Sequence, residues 1–217
     1  MQAKENQAQT SGHQNPTAEN RGHEPEKRGG ADNRDTRQGA QRPDKFEFDV
    51  QAARARAREN IDAGVITAAY GANREEVLRM LNEALATELV CVLRYKRHYF
   101  MASGIHADPV AAEFAEHATQ EQDHADRIAA RIIELGGEPD FNPVTIAQRS
   151  HSEYVEGENL KDMIRENLVA ERIAIDSYKR MVDYIGDGDP TTRRLLEDVL
   201  AVEEEHAHDM ADFLEAG

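Results

Sequence analysis

The sequence predicts an all-α fold: a four-helix bundle of two antiparallel hairpins joined by a long crossover, behind a disordered polar extension. Three observations carry this. From residue 73 onward apolar residues recur at alternating three- and four-residue steps. Capping signals and glycines cut that stretch into four segments, each near 25 residues and so rods of roughly 35–45 Å. The links run short, long, short, and only the middle one, "GGEPDFNPVTIAQRSHSEYVEGE", can cross a whole bundle.

Taken in order, residues 1–45 are rich in Gln, Asn, Gly, Arg, Glu and Asp, and cannot offset the entropy of ordering. They read as a disordered polar tail. Its eight Lys+Arg and seven Asp+Glu nearly cancel, which makes it a poor DNA-binding arm. Residues 46–72, opening "FEFDVQAARARAR", read as a docking segment and a short helix ending near Gly64, with the arginine run a solvated face. The first long helix opens on the capping pair Asn73 and Glu76 and runs to about Ser103. The second has Asp108 as N-cap with Pro109 at the first helical position, and stops at Gly136–Gly137. The third runs from about Asn159 to Gly186, and the fourth repeats the Asp-Pro start at Asp189 and Pro190.

The expected inner faces are Val77, Leu81, Ala84, Glu88, Cys91, Tyr95 and Tyr99; Val110, Phe114, His117, Glu121, His124, Ile128, Ile132 and Leu135; Leu160, Ile164, Glu171, Ala174, Tyr178, Val182 and Ile185; and Leu195, Val199, Val202, Glu203, His206, Met210 and Phe213. Each helix thus drives a carboxylate into its apolar face at mid-length. The pattern is repeated. "ELVCVLRY" and "ERIAIDSY" both read Glu, six residues, Tyr, while "EQDHADR" and "EEEHAHD" both read Glu-x-x-His-Ala. Glu88 to Glu121 is 33 residues and Glu171 to Glu203 is 32, so two hairpins packed about a pseudo-twofold axis bring four carboxylates and two imidazoles together.

Four buried carboxylates need compensating positive charge. No Lys or Arg is expected on these stripes at that level, so two divalent ions would supply it. Glu-x-x-His places an oxygen and a nitrogen on one helix face, and this mixed ligation suits iron or manganese. Tyr95 and Tyr178 are placed to hydrogen-bond ligand carboxylates or to donate electrons. His117, one turn before Glu121, reads either as a satisfied core histidine or as an entry or supporting residue. Cys91 reads as a packing residue, and Glu204, Glu205 and His208 as solvent-facing.

Composition narrows the function. A net charge of −16 suits a protein that attracts cations and argues against nucleic-acid or acidic-membrane binding. The start lacks an apolar export signal, no apolar run reaches the ~18 residues of a membrane span, and a lone cysteine excludes an intrachain disulfide. A cytoplasmic protein is expected.

"LNEALATELVCVLRY", "EQDHADR", "LVAER" and "EEEHAHD" resemble bacterioferritin segments, over about residues 74–214. The resemblance implies a ferritin-like bundle with Glu88 and His124 on one iron, Glu171 and His206 on the other, and Glu121 and Glu203 completing the centre and favoured as bridges. It implies two iron ions per subunit, with manganese possible. Oxidation of Fe(II) by O2 or H2O2 would serve iron storage and detoxification. Bacterioferritins bind haem through a methionine at the position held here by Gln122, so no haem is expected. Eleven residues follow His206, too few for the fifth helix of 24-subunit cages. That looks more like the DPS-type dodecamers, although the paired cysteines of one related dodecameric group are missing. The alternatives are a rubrerythrin-like or manganese-catalase-like peroxide scavenger, a DNA-protecting shell, or an encapsulated cargo.

Overall fold

The computed structural model describes residues 45–59, 61–105 and 107–216. The expected polar tail lies outside them, save Lys45. Residues 48–217 form one compact unit. Among the described residues there are six α-helices and no strand: α1 Val50–Arg56, α2 Arg74–Met101, α3 Ala107–Glu134, α4 Ile146–Arg149, α5 Leu160–Ile185 and α6 Pro190–Ala216, with a 3-10 turn at Ile61–Ala63. Helix α2 packs on α3, and α5 on α6, as the two hairpins. The pairs α2–α5 and α3–α6 close the bundle.

The caps explain the boundaries. The Asn73 side chain accepts from the Glu76 amide at 3.3 Å, and Asn159 accepts from Asp162 at 3.1 Å. At the end of α3, Gly137 N–H bonds Ile132 O and Gly136 N–H bonds Ile133 O, with Gly136 at φ 70°. A side chain there would meet the left-handed penalty. The Arg74 guanidinium donates to the Leu135 and Gly136 carbonyls, tying the start of α2 to the end of α3. Asp189 accepts from the Thr192 amide and hydroxyl and from Arg131, so the α6 start is capped and paired at once.

Several expectations are corrected. Asp108 is not the N-cap of α3: the helix already begins at Ala107, and Asp108 and Pro109 occupy its first turn. A proline is tolerated there because the first amides of a helix have no partner within it. Helix α1 ends at Arg56 rather than near Gly64. Phe48 is exposed, and the segment meets the bundle core through Ile66, Tyr70 and Ala72. The α2 stripe slips by one at its end. Tyr99 is 41% exposed and His98 faces inward, because its imidazole bonds Asn167 and the crossover carbonyls of Val155 and Glu156. On α6, Leu196 is fully buried while Leu195 sits half-buried on the rim.

The crossover is strapped along α2. Arg149 donates to the Asn82 carbonyl, Asn82 accepts from the Asp140 amide, and Arg94 reaches the Glu153 carbonyl. The apolar interior falls into two clusters. One holds Val77, Leu81, Leu85, Ile128, Ile132, Leu196 and Val199; the other holds Tyr95, Val110, Phe114, Met163, Ile164 and Met210. On all four long helices the predicted carboxylates lie between them. No described helix is long and apolar enough to cross a membrane.

Candidate metal centre

Glu88, Glu121, His124, Glu171, Glu203 and His206 are each at most 2% exposed. They form two groups whose ligand atoms lie within 4.8 Å of one another: Glu88, Glu121, His124 and Glu203, and Glu121, Glu171, Glu203 and His206. Glu121 and Glu203 belong to both. Each comes from a helix whose other partner in the Glu-x-x-His pair points the same way, one turn on. His124 Nδ1 lies 3.2 Å from Glu88, 3.6 Å from Glu121 and 3.0 Å from Glu203. His206 Nδ1 lies 3.6 Å from Glu121 and 3.7 Å from Glu203.

The tyrosines bond across the pseudo-twofold axis. Tyr95 donates to Glu171 Oε1 and Tyr178 donates to Glu88 Oε1, so each hairpin's tyrosine holds the other hairpin's glutamate. On the far side of His206, Nε2 meets Gln120 Oε1 at 2.6 Å. With the amide oxygen accepting, that nitrogen keeps its proton, so Nδ1 is the nitrogen that would offer a lone pair beside the two shared carboxylates once its own proton leaves. Gln120 is not on the predicted inner stripe; a half-buried side chain one residue before Glu121 reaches around α3 to make this contact. The position expected to exclude haem, Gln122, is half-buried and bonds Asp126 one turn along α3.

No Lys or Arg lies on the predicted stripes at this level, but a cation reaches the centre from beside them. Arg94 is fully buried, 4.0 Å from Glu171 Oε1, with its guanidinium bonded to Asn167 Oδ1 and near Cys91 Sγ. It escaped because it lies six residues after Glu88, off the stripe. Its guanidinium turns inward where Asn167 on α5 offers an acceptor.

One guanidinium does not balance four carboxylates, and the remaining charge is balanced by protons. Burial, then Glu121, push Glu88 up to about 8. Burial, with Glu121 and Glu203, pushes Glu171 well above the usual carboxylate range. Burial opposes ionisation of Glu121 and Glu203 too, but the nearby imidazoles and carboxyl groups hold both below their ordinary value. Burial disfavours the imidazolium of His124 and His206, yet the glutamates outweigh it, lifting them to about 12 and about 9. The centre therefore holds protons where a cation would sit. Even so, both oxygens of Glu121 and of Glu203, Glu171 Oε2 and His206 Nδ1 are buried without a hydrogen-bond partner. Such atoms are costly unless something positive occupies the space between them. The residues fit two divalent ions.

A four-helix bundle with a long crossover, pierced at mid-height by a carboxylate–imidazole cluster shared between two hairpins, defines a class of protein. Residues 78–217 match the ferritin family, described as a ferritin-like domain, and the chain belongs to that family. Among its relatives, the bacterioferritin of Brucella melitensis is 32% identical over 141 residues, covering 64% of this chain and 81% of the relative. A nutrient stress-induced DNA-binding protein of Synechococcus is 30% identical over 142 residues, with the same coverage. The dodecameric thioferritin of Bacteroides fragilis, a bacterioferritin-related protein, has 30% identity and a TM-score of 0.65. The match covers 67% of this chain and 88% of that one.

Proposed function

We propose that the protein is an iron-storage and iron-detoxifying ferroxidase acting in the cytoplasm. Its substrate is Fe(II), taken two at a time at the Glu88–Glu121–His124–Glu171–Glu203–His206 centre. Two bound Fe(II) supply the two electrons that reduce O2 to H2O2, or H2O2 to water. The observation that carries this reading is the pair of ligand groups sharing Glu121 and Glu203, with their oxygens unsatisfied among otherwise bonded neighbours.

The chain's own part is positioning and charge. Tyr95 and Tyr178 each occupy one oxygen of Glu171 and Glu88. Gln120 sets the His206 tautomer. The apolar clusters on either side exclude water, which strengthens every charge interaction within. A net charge of −16 raises the local concentration of cations. The 30% identity to a dodecameric relative supports a dodecameric cage over a 24-mer.

Stopped-flow oxidation of anaerobically loaded protein tests the reading. O2 or H2O2 should produce a fast ferric absorbance equivalent to two irons per chain. The double substitution Glu203→Ala, His206→Ala should abolish it, and an unchanged fast amplitude in that variant would sink the assignment.

A further inference from the structure

Beside the centre, on the α3–α6 side, three further groups converge. His117 Nε2 lies 3.2 Å from Glu113 Oε1 and 3.5 Å from Asp209 Oδ2. His117 is 1% exposed, while the two carboxylate side chains are 30% and 34% exposed. The imidazole stacks on His206 with ring centroids 3.9 Å apart and planes inclined by 22°. None of the three belongs to the six-residue centre.

The tautomer of His117 follows from its other nitrogen. The Tyr95 hydroxyl spends its one proton on Glu171, so its oxygen can only accept from His117 Nδ1, 3.2 Å away. In a neutral ring with Nδ1 protonated, Nε2 carries the lone pair. That lone pair, buried and without a hydrogen-bond partner, is aimed at two carboxylates. Three acceptors facing one another repel unless a cation lies between them. One nitrogen and two oxygens, from residues at i and i+4 of α3 and from α6, come within 4.8 Å of one another. That set leaves further positions open to water, as hard divalent ions require.

We propose that Glu113, His117 and Asp209 form a third divalent-cation site, accessible from the α3–α6 surface and separate from the buried pair. It takes a hexaaqua-type ion such as Fe(II), Mn(II) or Co(II), with two carboxylates and the His117 Nε2 replacing some of its waters. Its test does not depend on ferroxidase chemistry. Equilibrium dialysis of the intact protein against Co(II), which is not oxidised under these conditions, should give three ions per chain. The isosteric double substitution Glu113→Gln, Asp209→Asn leaves the six central ligands and His117 in place, and should lower the count to two. Glu203→Ala, His206→Ala should conversely keep the outer ion while losing the central pair, so failure of the outer site and failure of the central one read differently. A wild-type count of two that Glu113→Gln, Asp209→Asn leaves at two would overturn the proposal, because a proton on His117 would then hold the carboxylates. So would a count of three that survives Glu113→Gln, Asp209→Asn.

Discussion

The two hairpins carry the same ligands in different surroundings. Glu88, Glu121 and His124 on α2–α3 answer to Glu171, Glu203 and His206 on α5–α6, and each hairpin adds a tyrosine seven residues after its first glutamate. Outside those positions the repeat lapses. Six residues after Glu88 stands the buried Arg94; six after Glu171 stands Ser177, on the rim against His151. Four residues before Glu121 is His117, whereas four before Glu203 is Val199, in the apolar core. Gln120 has Val202 as its counterpart. The α2–α3 hairpin thus supplies His117, Gln120 and Arg94, and through them the His206 half is polar and connected to the surface. The His124 half is backed by Tyr178, Ala125 and Ile128. Duplicated ligands define the centre, and unduplicated neighbours make its halves unequal.

The largest effect that would break this picture concerns the shared glutamates. Glu121→Leu removes a ligand from both groups, and Glu88→Leu from only one. Each ion bound at 100 times its Kd adds about 2.7 kcal/mol to stability. We therefore expect the Co(II)-induced rise in Tm that comes from the centre to vanish in Glu121→Leu and to fall by about half in Glu88→Leu. Differential scanning fluorimetry with and without Co(II) reads both. Equal losses would mean that Glu121 serves one ion only.

The second effect separates the halves by pH. With Glu88 held up to about 8, His206 to about 9 and His124 to about 12, all three keep their protons at pH 7 in the metal-free protein. Metal binding must expel them, so affinity rises with pH. For folding the sign is opposite. A group whose pKa is raised on folding stabilises the native state below its unfolded value, and that contribution is lost as pH climbs to the folded one. The metal-free protein should lose stability between about pH 6.5 and 9 as the His206 contribution disappears, while its Co(II) affinity increases over the same interval. Calorimetry in buffers of different ionisation enthalpy should register proton release at pH 7. A pH-independent affinity would contradict the protonated centre.

Much of this was legible in the sequence, and the omissions share a cause. A helical period reports which side of one helix is apolar, so carboxylates embedded in that side stand out, as do Asn73, Asn159, Gly136 and the Asp189–Pro190 start. It does not report what a long side chain just off the stripe finds on another helix. Arg94 turns inward because Asn167 awaits it, and Gln120 because His206 does. His98 displaces Tyr99 from the interior because the crossover presents carbonyls there. Nor could spacing tell that each tyrosine bonds the opposite hairpin's glutamate. That is a property of packing, invisible within one helix.

The crossed tyrosines give the smallest and sharpest contrast between the halves. Tyr178→Phe removes one hydrogen bond, from Glu88 Oε1, and should cost about 1 kcal/mol in the metal-free protein. Tyr95→Phe removes the equivalent bond to Glu171 and also strips His117 Nδ1–H of its acceptor, leaving a buried donor unsatisfied. That second loss adds about 1–3 kcal/mol. Urea unfolding at matched pH should therefore rank Tyr95→Phe below Tyr178→Phe, with unchanged m-values. If the two fall together, the Tyr95–His117 bond is energetically empty. The Nδ1 proton would then no longer be fixed, and with it would go the reason for a free lone pair on His117 Nε2. The distinction between the halves rests on such single bonds, because their ligands are the same.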